Sequence, residues 1–312
     1  MVLIFMGTPS FAVPSLKALL QTSHRIPAVV TQTDKPKGRG LKVESSPVSL
    51  LARCHGIRVL QPATLKDDQV VSELVSLSPD LIVVVAYGKI LPPAVLRIPR
   101  FGCINLHASL LPKYRGAAPI QWSLIRGEKT SGVTTMLMDE GMDTGPILSQ
   151  EMVLIEPRDT AGSLAEKLAG RGAALLVKTL EDLETGGLRP IPQNNDEATY
   201  APRLTREDGM LHWSENAVAL CNRVRGLNPR PGALTFYRGQ SLKILTCRSL
   251  ANNKPGVPGE IIDLIPEGIV VKAGEDAVLI LELQPPGRTF MSASAYLRGH
   301  PLTVGERFQD HA

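Results

Sequence analysis

Residues 2–31 read VLIFMGTPSFAVPSLKALLQTSHRIPAVVT, and three segments of different character follow one another in them. Residues 2–6 form an apolar run of strand length, 10–20 carry a helical pattern, and 26–31 are a second β-type run. Strand, helix and strand in so short a stretch describe a βαβ unit. The rhythm continues outward. A helical pattern at 47–55 follows the second run, and another at 66–77 precedes the run LIVVVA at 81–86. Such alternation predicts an α/β domain whose parallel sheet carries helices on both faces. Further β-type runs follow at 103–106, 131–138 and 147–155, and a long helix is expected over 161–184, with Leu164, Leu168, Leu175, Leu176 and Leu183 as its buried stripe.

Gly186 and Gly187 end that helix, and Pro190, Pro192 and the polar stretch 193–199 read as a linker. The domain boundary is therefore placed there: an N-terminal domain over 1–189, a linker over 190–205 and a C-terminal domain over 206–312. In the last of these, a helix is expected to start at Ser214, a good N-cap, and to close at Gly226. Short β-type stretches follow at 233–237, 241–247, 259–264, 269–272 and 278–283. Five short strands in about a hundred residues suggest a small OB-like β-barrel, a fold that often holds nucleic acid without proving that it does.

Composition removes whole classes. A chain of 312 residues with 43% apolar and 21% charged residues is an ordinary globular protein of two domains, and disorder, collagen and coiled coil are disfavoured. Cys54, Cys103, Cys221 and Cys247 lie far apart with no Cys-x-x-Cys, so they read as reduced structural thiols. The six histidines are scattered and none forms His-Glu-x-x-His, so no metal is expected. The apolar start, 1–6, is short and has no basic leader, and the run at 81–86 is far below the ~20 residues of a membrane span, which places the chain in the cytoplasm.

A net charge of +4 says little by itself, but its distribution is uneven. From 223 to 254 the chain carries Arg223, Arg225, Arg230, Arg238, Lys243, Arg248 and Lys254 with no acid, so this window is +7. A second basic cluster, Lys35, Lys37, Arg39 and Lys42, occupies what reads as an irregular loop between a strand end and the next helix. Either alone is most simply a solvated surface. Two such segments in different domains suit a polyphosphate that spans both, because each neutralised phosphate releases counterions.

The chemistry concentrates in two loops. Asn105-Leu-His107-Ala-Ser109-Leu110-Leu111-Pro112-Lys-Tyr114-Arg115-Gly116 follows one expected strand, and Asp139-Glu-Gly-Met-Asp143-Thr-Gly145 follows the next. Both loops are thus expected at strand C-terminal ends, where open α/β sheets bind ligands. Two residues apart on an extended stretch, Asn105 and His107 point to the same face. A carboxylate from the neighbouring strand end can then hold the imidazole. A lone His107 reads as a structural histidine, and only the convergence with Asn105 and Asp143 argues for more. The turn after the first strand, Gly7-Thr-Pro-Ser-Phe-Ala12, is not Gly-x-Gly-x-x-Gly, and no elbow motif marks a Ser or Cys nucleophile. The trio suits a non-covalent transfer in which charge builds on a carbonyl oxygen.

At these residues the chain resembles the methionyl-tRNA formyltransferase family. Asn105-x-His107 with Ser109-Leu-Leu-Pro-x-Tyr-Arg-Gly116 and Asp143-Thr-Gly145 resembles the signature of enzymes that use 10-formyltetrahydrofolate, and Val85-Ala-Tyr-Gly88 with Ile90-Leu-Pro92 is similar to their folate-pocket strand and turn. The tRNA-directed branch is indicated by 34–40, by Leu204-Thr-Arg-Glu-Asp-Gly209, by Arg225-Gly-Leu-Asn-Pro229 with Pro231-Gly-Ala233, and by Leu297-Arg-Gly299. The resemblance covers 1 to about 308. It departs at Ala108, where the family usually has Pro, at Arg230, where a large apolar residue is common, and in the Leu-Lys that follows Arg39-Gly40.

The resemblance implies a Rossmann-like formyltransferase domain, 10-formyltetrahydrofolate as formyl donor, methionyl initiator tRNA as acceptor and tetrahydrofolate as product, in a monomer without membrane or metal. It implies catalytic roles for Asn105, His107 and Asp143: Asn105 and His107 placed to donate to the developing oxyanion, His107 equally able to serve as a proton shuttle, and Asp143 orienting His107 and helping to move the proton to the leaving N10. It further implies a folate wall at Ser109, Leu110, Leu111 and Pro112, and tRNA contacts at Lys35, Lys37, Arg39 and Lys42. Two alternatives stay open at this point: a folate-dependent formyltransferase for a small amine, nucleotide or amino sugar, and a non-enzymatic RNA-binding module.

Overall fold

The computed structural model describes residues 1–37 and 42–311, with backbone alone for 35–37 and 42–43. Along the chain run β1 (Val2–Gly7), α1 (Val13–Leu20), β2 (Arg25–Val30), β3 (Lys35–Lys37), β4 (Lys42–Glu44), α2 (Pro47–Cys54), β5 (Arg58–Leu60), α3 (Asp68–Ser76), β6 (Leu81–Val85), α4 (Pro93–Leu96), β7 (Cys103–His107), α5 (Pro119–Ile125), β8 (Thr130–Leu137), β9 (Ile147–Leu154) and α6 (Ala161–Glu184). There follow α7 (Ala217–Leu227), β10 (Ala233–Tyr237), β11 (Gln240–Leu250), β12 (Ile261–Ile265), β13 (Gly268–Lys272), β14 (Ala277–Gln284), β15 (Met291–Ser292) and α8 (Ala293–Gly299). Two compact units result. One comprises 1–119, 130–154 and 165–202, the other 120–129, 155–164 and 203–312.

The first unit is built on a seven-stranded sheet in the order β5-β2-β1-β6-β7-β8-β9. The runs that are apolar throughout become its centre: Leu3, Ile4, Phe5 and Met6 of β1 and Leu81, Ile82, Val83 and Val85 of β6 are fully buried. A strand buried on both faces gains nothing from alternation, which is why these runs carry none. The parallel expectation holds from β5 to β7, and β8 and β9 then run antiparallel. That reversal moves one loop. Leu137, the last residue of β8, stands opposite Ile104 near the start of β7, so the segment after β8 leaves from the opposite sheet edge to the loop after His107, not from the same one. Only that segment's return brings Asp143 to the face of β7.

A second difference lies at 35–44. Instead of an irregular loop, β3 and β4 pair as a short antiparallel hairpin, Lys35 opposite Glu44 and Lys37 opposite Lys42. Its base is pinned by side chains: Asp34 accepts from Ser45 Oγ at 2.9 Å and from Gln61 Nε2 at 2.7 Å. Those hydrogen bonds, the one from Gln61 foremost, hold the Asp34 carboxyl below its usual range.

The second unit is an antiparallel sheet in the order β10-β11-β14-β13-β12, with β15 beside β14. All five expected stretches are strands. Among the described residues β10 and β12 do not pair directly. One segment bridges near both edges: Gln309 exchanges backbone hydrogen bonds with Phe236, while Arg307 bridges Glu260 just ahead of β12. At those pairs the edge backbone is no longer open to another chain. Trp213, Leu220, Val224, Ile244, Ile280 and Phe308 fill the core. Burying each such side chain stabilises by about 1.5–3 kcal/mol, and the Trp213 indole N–H donates to Thr235 Oγ1 at 2.9 Å, so its one polar atom is satisfied.

α7 also departs from expectation. Asn216, not Ser214, caps it by accepting from the Ala219 amide at 2.8 Å. Gly226 does not end the helix but lies buried inside it, where a Cβ would stand 2.7 Å from Ile125 Cγ1 and 2.9 Å from the Gln121 carbonyl oxygen. This glycine serves close approach rather than termination. Among the described residues no helix is long and apolar enough to cross a membrane.

Candidate active site

Asn105 and His107 alternate along β7 as the strand period requires, so both side chains lie on one face. The Asp143 carboxylate meets them there. Its Oδ1 accepts from Asn105 Nδ2 at 3.4 Å, and its Oδ2 lies 3.6 Å from His107 Nδ1. The third contact is the shortest, 2.8 Å from the Gly116 amide to Oδ2. One carboxylate thus gathers an amide and an imidazole from β7 and a backbone N–H from the loop that follows it.

His107 is nearly enclosed, 6% exposed, and its other ring nitrogen faces the Tyr114 carbonyl oxygen at 2.9 Å. A carbonyl only accepts, so Nε2 carries a hydrogen and Nδ1 is the nitrogen turned to Asp143. Both ring nitrogens therefore have protein partners. Of the two residues expected to donate to an oxyanion, Asn105 is the half-exposed one, and its Nδ2 has a second hydrogen beyond the one aimed at Asp143.

Asp143 itself has φ +55°, in the left-handed region, where Asp is tolerated better than most residues. Gly116 has φ +119°, and a Cβ there would stand 2.7 Å from the Ala201 carbonyl oxygen. The close approach that delivers its amide to Asp143 thus admits no side chain.

The four expected folate residues divide by burial. Ser109 and Leu111 are buried and hold the loop: Ser109 Oγ donates to the Lys113 carbonyl at 2.6 Å, and the Leu111 amide donates to Thr134 Oγ1 at 3.2 Å. Leu110 and Pro112 are half-exposed. Gln150 on β9 adds a bond to the Leu111 carbonyl at 2.8 Å. Near the expected folate turn, Tyr87 is buried, and burial pushes its hydroxyl up to about 12. Its carbonyl accepts from Thr8 at 3.2 Å and from Gln32 at 2.9 Å, tying together the ends of β1, β2 and β6.

Sequence reasoning left three contributors without a role. Arg115 is 2% exposed and donates to Gln193 Oε1 through Nε at 3.1 Å and Nη2 at 2.8 Å. Gln193 donates to the Asp143 carbonyl, and Thr199 accepts from the Tyr114 amide. Arg115 belongs to the quoted motif, but Gln193 and Thr199 lie in a polar stretch that carries no pattern of its own.

Of the expected tRNA-contacting residues, Lys35, Lys37 and Lys42 belong to the hairpin strands, and Arg39 lies outside the described residues. The basic window of the second unit is less basic in space than in sequence. Arg223 pairs with Glu215 at 3.0 Å, Lys254 with Asp263 at 2.8 Å, and Arg238 with Glu306. Arg225 is turned to the backbone carbonyls of Glu156 and Asp159, and burial lowers its pKa. Arg230 and Arg248 are exposed.

The family model for formyl transferase matches residues 1–180, and the model for the formyl transferase C-terminal domain matches 203–301. The methionyl-tRNA formyltransferase of Caldanaerobacter subterraneus subsp. tengcongensis is 49% identical over 304 residues, 97% of this chain and 98% of its own length. That of a Synechococcus strain is 50% identical over 316 residues, 98% of each chain. The chain belongs to the methionyl-tRNA formyltransferase family. More distant members of the fold are solved. HypX from Aquifex aeolicus, in complex with tetrahydrofolic acid, superposes with a TM-score of 0.67 at 18% identity over 98% of this chain and 48% of its own. WlaRD, a sugar 3N-formyl transferase, superposes with a TM-score of 0.68 at 19% identity over 93% of this chain and 99% of its own. At such identities these two speak for the fold alone.

Proposed function

We propose that this protein transfers the formyl group of 10-formyltetrahydrofolate to the α-amino group of methionine esterified to initiator tRNA. The observation that carries the chemistry is the convergence of Asn105, His107 and the Gly116 amide on the Asp143 carboxylate. Family membership supplies the two substrates.

In this reading the neutral amine attacks the formyl carbon, and the carbonyl electron pair moves to oxygen. Asn105 donates its second amide hydrogen to that oxygen, from an amide already oriented by Asp143. The carbon–N10 bond then breaks, and N10 keeps the pair. The proton shed by the attacking nitrogen passes, through water, by way of Asp143 and the adjacent His107 Nδ1 to N10. The products are the N-formyl amide and tetrahydrofolate. His107, held through Nε2 by the Tyr114 carbonyl, presents Nδ1 to Asp143 and so serves the proton rather than the oxyanion.

Leu110 and Pro112 supply the apolar wall against the folate, and Ser109 and Leu111 hold that wall in shape. Lys35, Lys37, Arg39 and Lys42 meet the acceptor stem, while residues 206–312 hold the tRNA body beyond the chemistry of 1–189 and the connection at 190–205. The working form is a cytoplasmic monomer.

The test is formyl transfer from 10-formyltetrahydrofolate offered in parallel to charged initiator tRNA, uncharged tRNA and small amines. Transfer confined to the charged tRNA is expected, and comparable kcat/KM with a small amine overturns the acceptor assignment. In the same assay Arg39→Ala should weaken use of tRNA and flatten its salt dependence by roughly one charge's worth, with folate use unchanged.

A further inference from the structure

Within the stretch expected as a linker, residue 191 is bonded to the start of β9 and residues 199–201 to the loop after β7. Ile191 exchanges backbone hydrogen bonds with Ile147, each 2.8 Å. Further on, Thr199 and Ala201 run beside the 112–118 loop: the Arg115 amide donates to the Thr199 carbonyl, the Ala201 amide to the Arg115 carbonyl, and the Ala118 amide to the Ala201 carbonyl.

Between these anchors Gln193 turns inward. Its Nε2 donates to the Asp143 carbonyl at 2.8 Å and to the Gly145 carbonyl at 2.7 Å, while its Oε1 accepts both Arg115 bonds. A primary amide offers two N–H donors and one oxygen with two lone pairs, so every hydrogen-bonding position of Gln193 is filled. Arg115 extends to Asn195 Oδ1 at 2.9 Å.

The direction of the amide is dictated. A guanidinium can only donate, so Oε1 must face Arg115 and Nε2 must face the two carbonyls. A flipped amide would set N–H against N–H and oxygen against oxygen. One of the carbonyls so held belongs to Asp143 itself, whose left-handed backbone persists only where its surroundings enforce it.

We propose that Gln193 is a positioning residue for Asp143, and that Arg115 acts by fixing which way the Gln193 amide faces. The inference rests on the reading that Asp143 takes part in the transfer. Through its two carbonyl contacts Gln193 sets where the turn holds the carboxylate, and with it the register of Asn105 and His107.

The experiment uses the full chain with 10-formyltetrahydrofolate and charged initiator tRNA, and measures kcat, donor KM, the pH profile of kcat and Tm. Gln193→Glu keeps the length and still pairs with Arg115 but has no N–H to donate; Gln193→Ala removes the whole amide. Both should lower kcat, by up to about 10²-fold, with donor KM and Tm near wild type and the pH profile displaced. Arg115→Lys, which lacks the fork, should lower kcat less, and combined with Gln193→Ala it should add nothing, because both act through one amide. Asp143→Asn is the control. If it abolishes transfer while both Gln193 variants stay within about twofold of wild-type kcat, the positioning role is overturned and Asp143 keeps its own. If Asp143→Asn transfers normally, the underlying reading falls whatever Gln193 does. A loss of kcat that follows Tm, with the pH profile unmoved, makes Gln193 merely structural and also overturns the proposal.

Discussion

The backbone amide of Gly116 donates to Oδ2 of Asp143 at 2.8 Å, tying the loop after β7 to the segment after β8. Neither residue is near the other in sequence, and each occupies left-handed backbone, φ +119° and +55°. Gly116→Ala tests the contact. A Cβ would stand 2.7 Å from the Ala201 carbonyl oxygen in a conformation that L side chains avoid, at a cost of order 1–3 kcal/mol. Denaturant unfolding should show that loss and turnover should fall with it. Unchanged stability would mean that the 199–201 segment can move aside.

Asn105→Ala should lower kcat by about 10²- to 10³-fold, the usual effect of removing one oxyanion donor. The donor KM should hold, because the amide hydrogen in question is used only as charge develops. Steady-state kinetics with charged tRNA decide it: turnover at the wild-type rate removes Asn105 from the chemistry.

Gly226→Ala sets two effects against each other. Replacing a helical glycine by alanine gains up to about 1 kcal/mol in a helix interior, and less at the penultimate position of α7 that Gly226 holds. At this site the new Cβ would lie 2.7 Å from Ile125 Cγ1 and 2.9 Å from the Gln121 carbonyl oxygen, and overpacking costs about 1–3 kcal/mol. The clash should win and the variant should lose stability. A gain in the denaturant midpoint would show that α7 shifts freely.

Glu306 carries a pH prediction. Its carboxylate accepts from the Thr303 amide and the Tyr237 hydroxyl, each at 2.8 Å, and pairs with Arg238; these contacts, the Thr303 amide first, hold its pKa below the usual carboxylate range. A depressed folded-state pKa contributes stability above the unfolded value, about 4.3, which is lost as pH falls through the folded value. The stability gap between wild type and Glu306→Gln should thus be full at neutral pH and close in acid. Unfolding curves from neutral pH down to about 3 measure it, and a gap independent of pH would place the contribution elsewhere.

Much of the site is legible in the sequence alone. Asn105 and His107 share a face because strands have period two, and Asp143 was named as the carboxylate that meets them. Helix α6 spans Ala161–Glu184, the stretch its leucine spacing predicts. The route by which Asp143 arrives was not legible, because strand direction depends on which neighbour a strand pairs with. β8 pairs antiparallel to β7, so its loop starts at the far edge and must return. Gln193 was invisible for a related reason: a glutamine among polar residues signals nothing until Arg115 is found buried against it.

Charge illustrates the same divide. The window 223–254 is +7 in sequence, yet Arg223, Arg238 and Lys254 are paired with Glu215, Glu306 and Asp263, which all lie outside the window. Period, apolar runs and motif spacing are local, and they alone determined the α/β unit, the β-type stretches after it and the shared face of Asn105 and His107 on β7. Pairing direction, the glycines that permit close approach and the partners of each charge depend on residues far apart in the chain, and only the tertiary structure decided them.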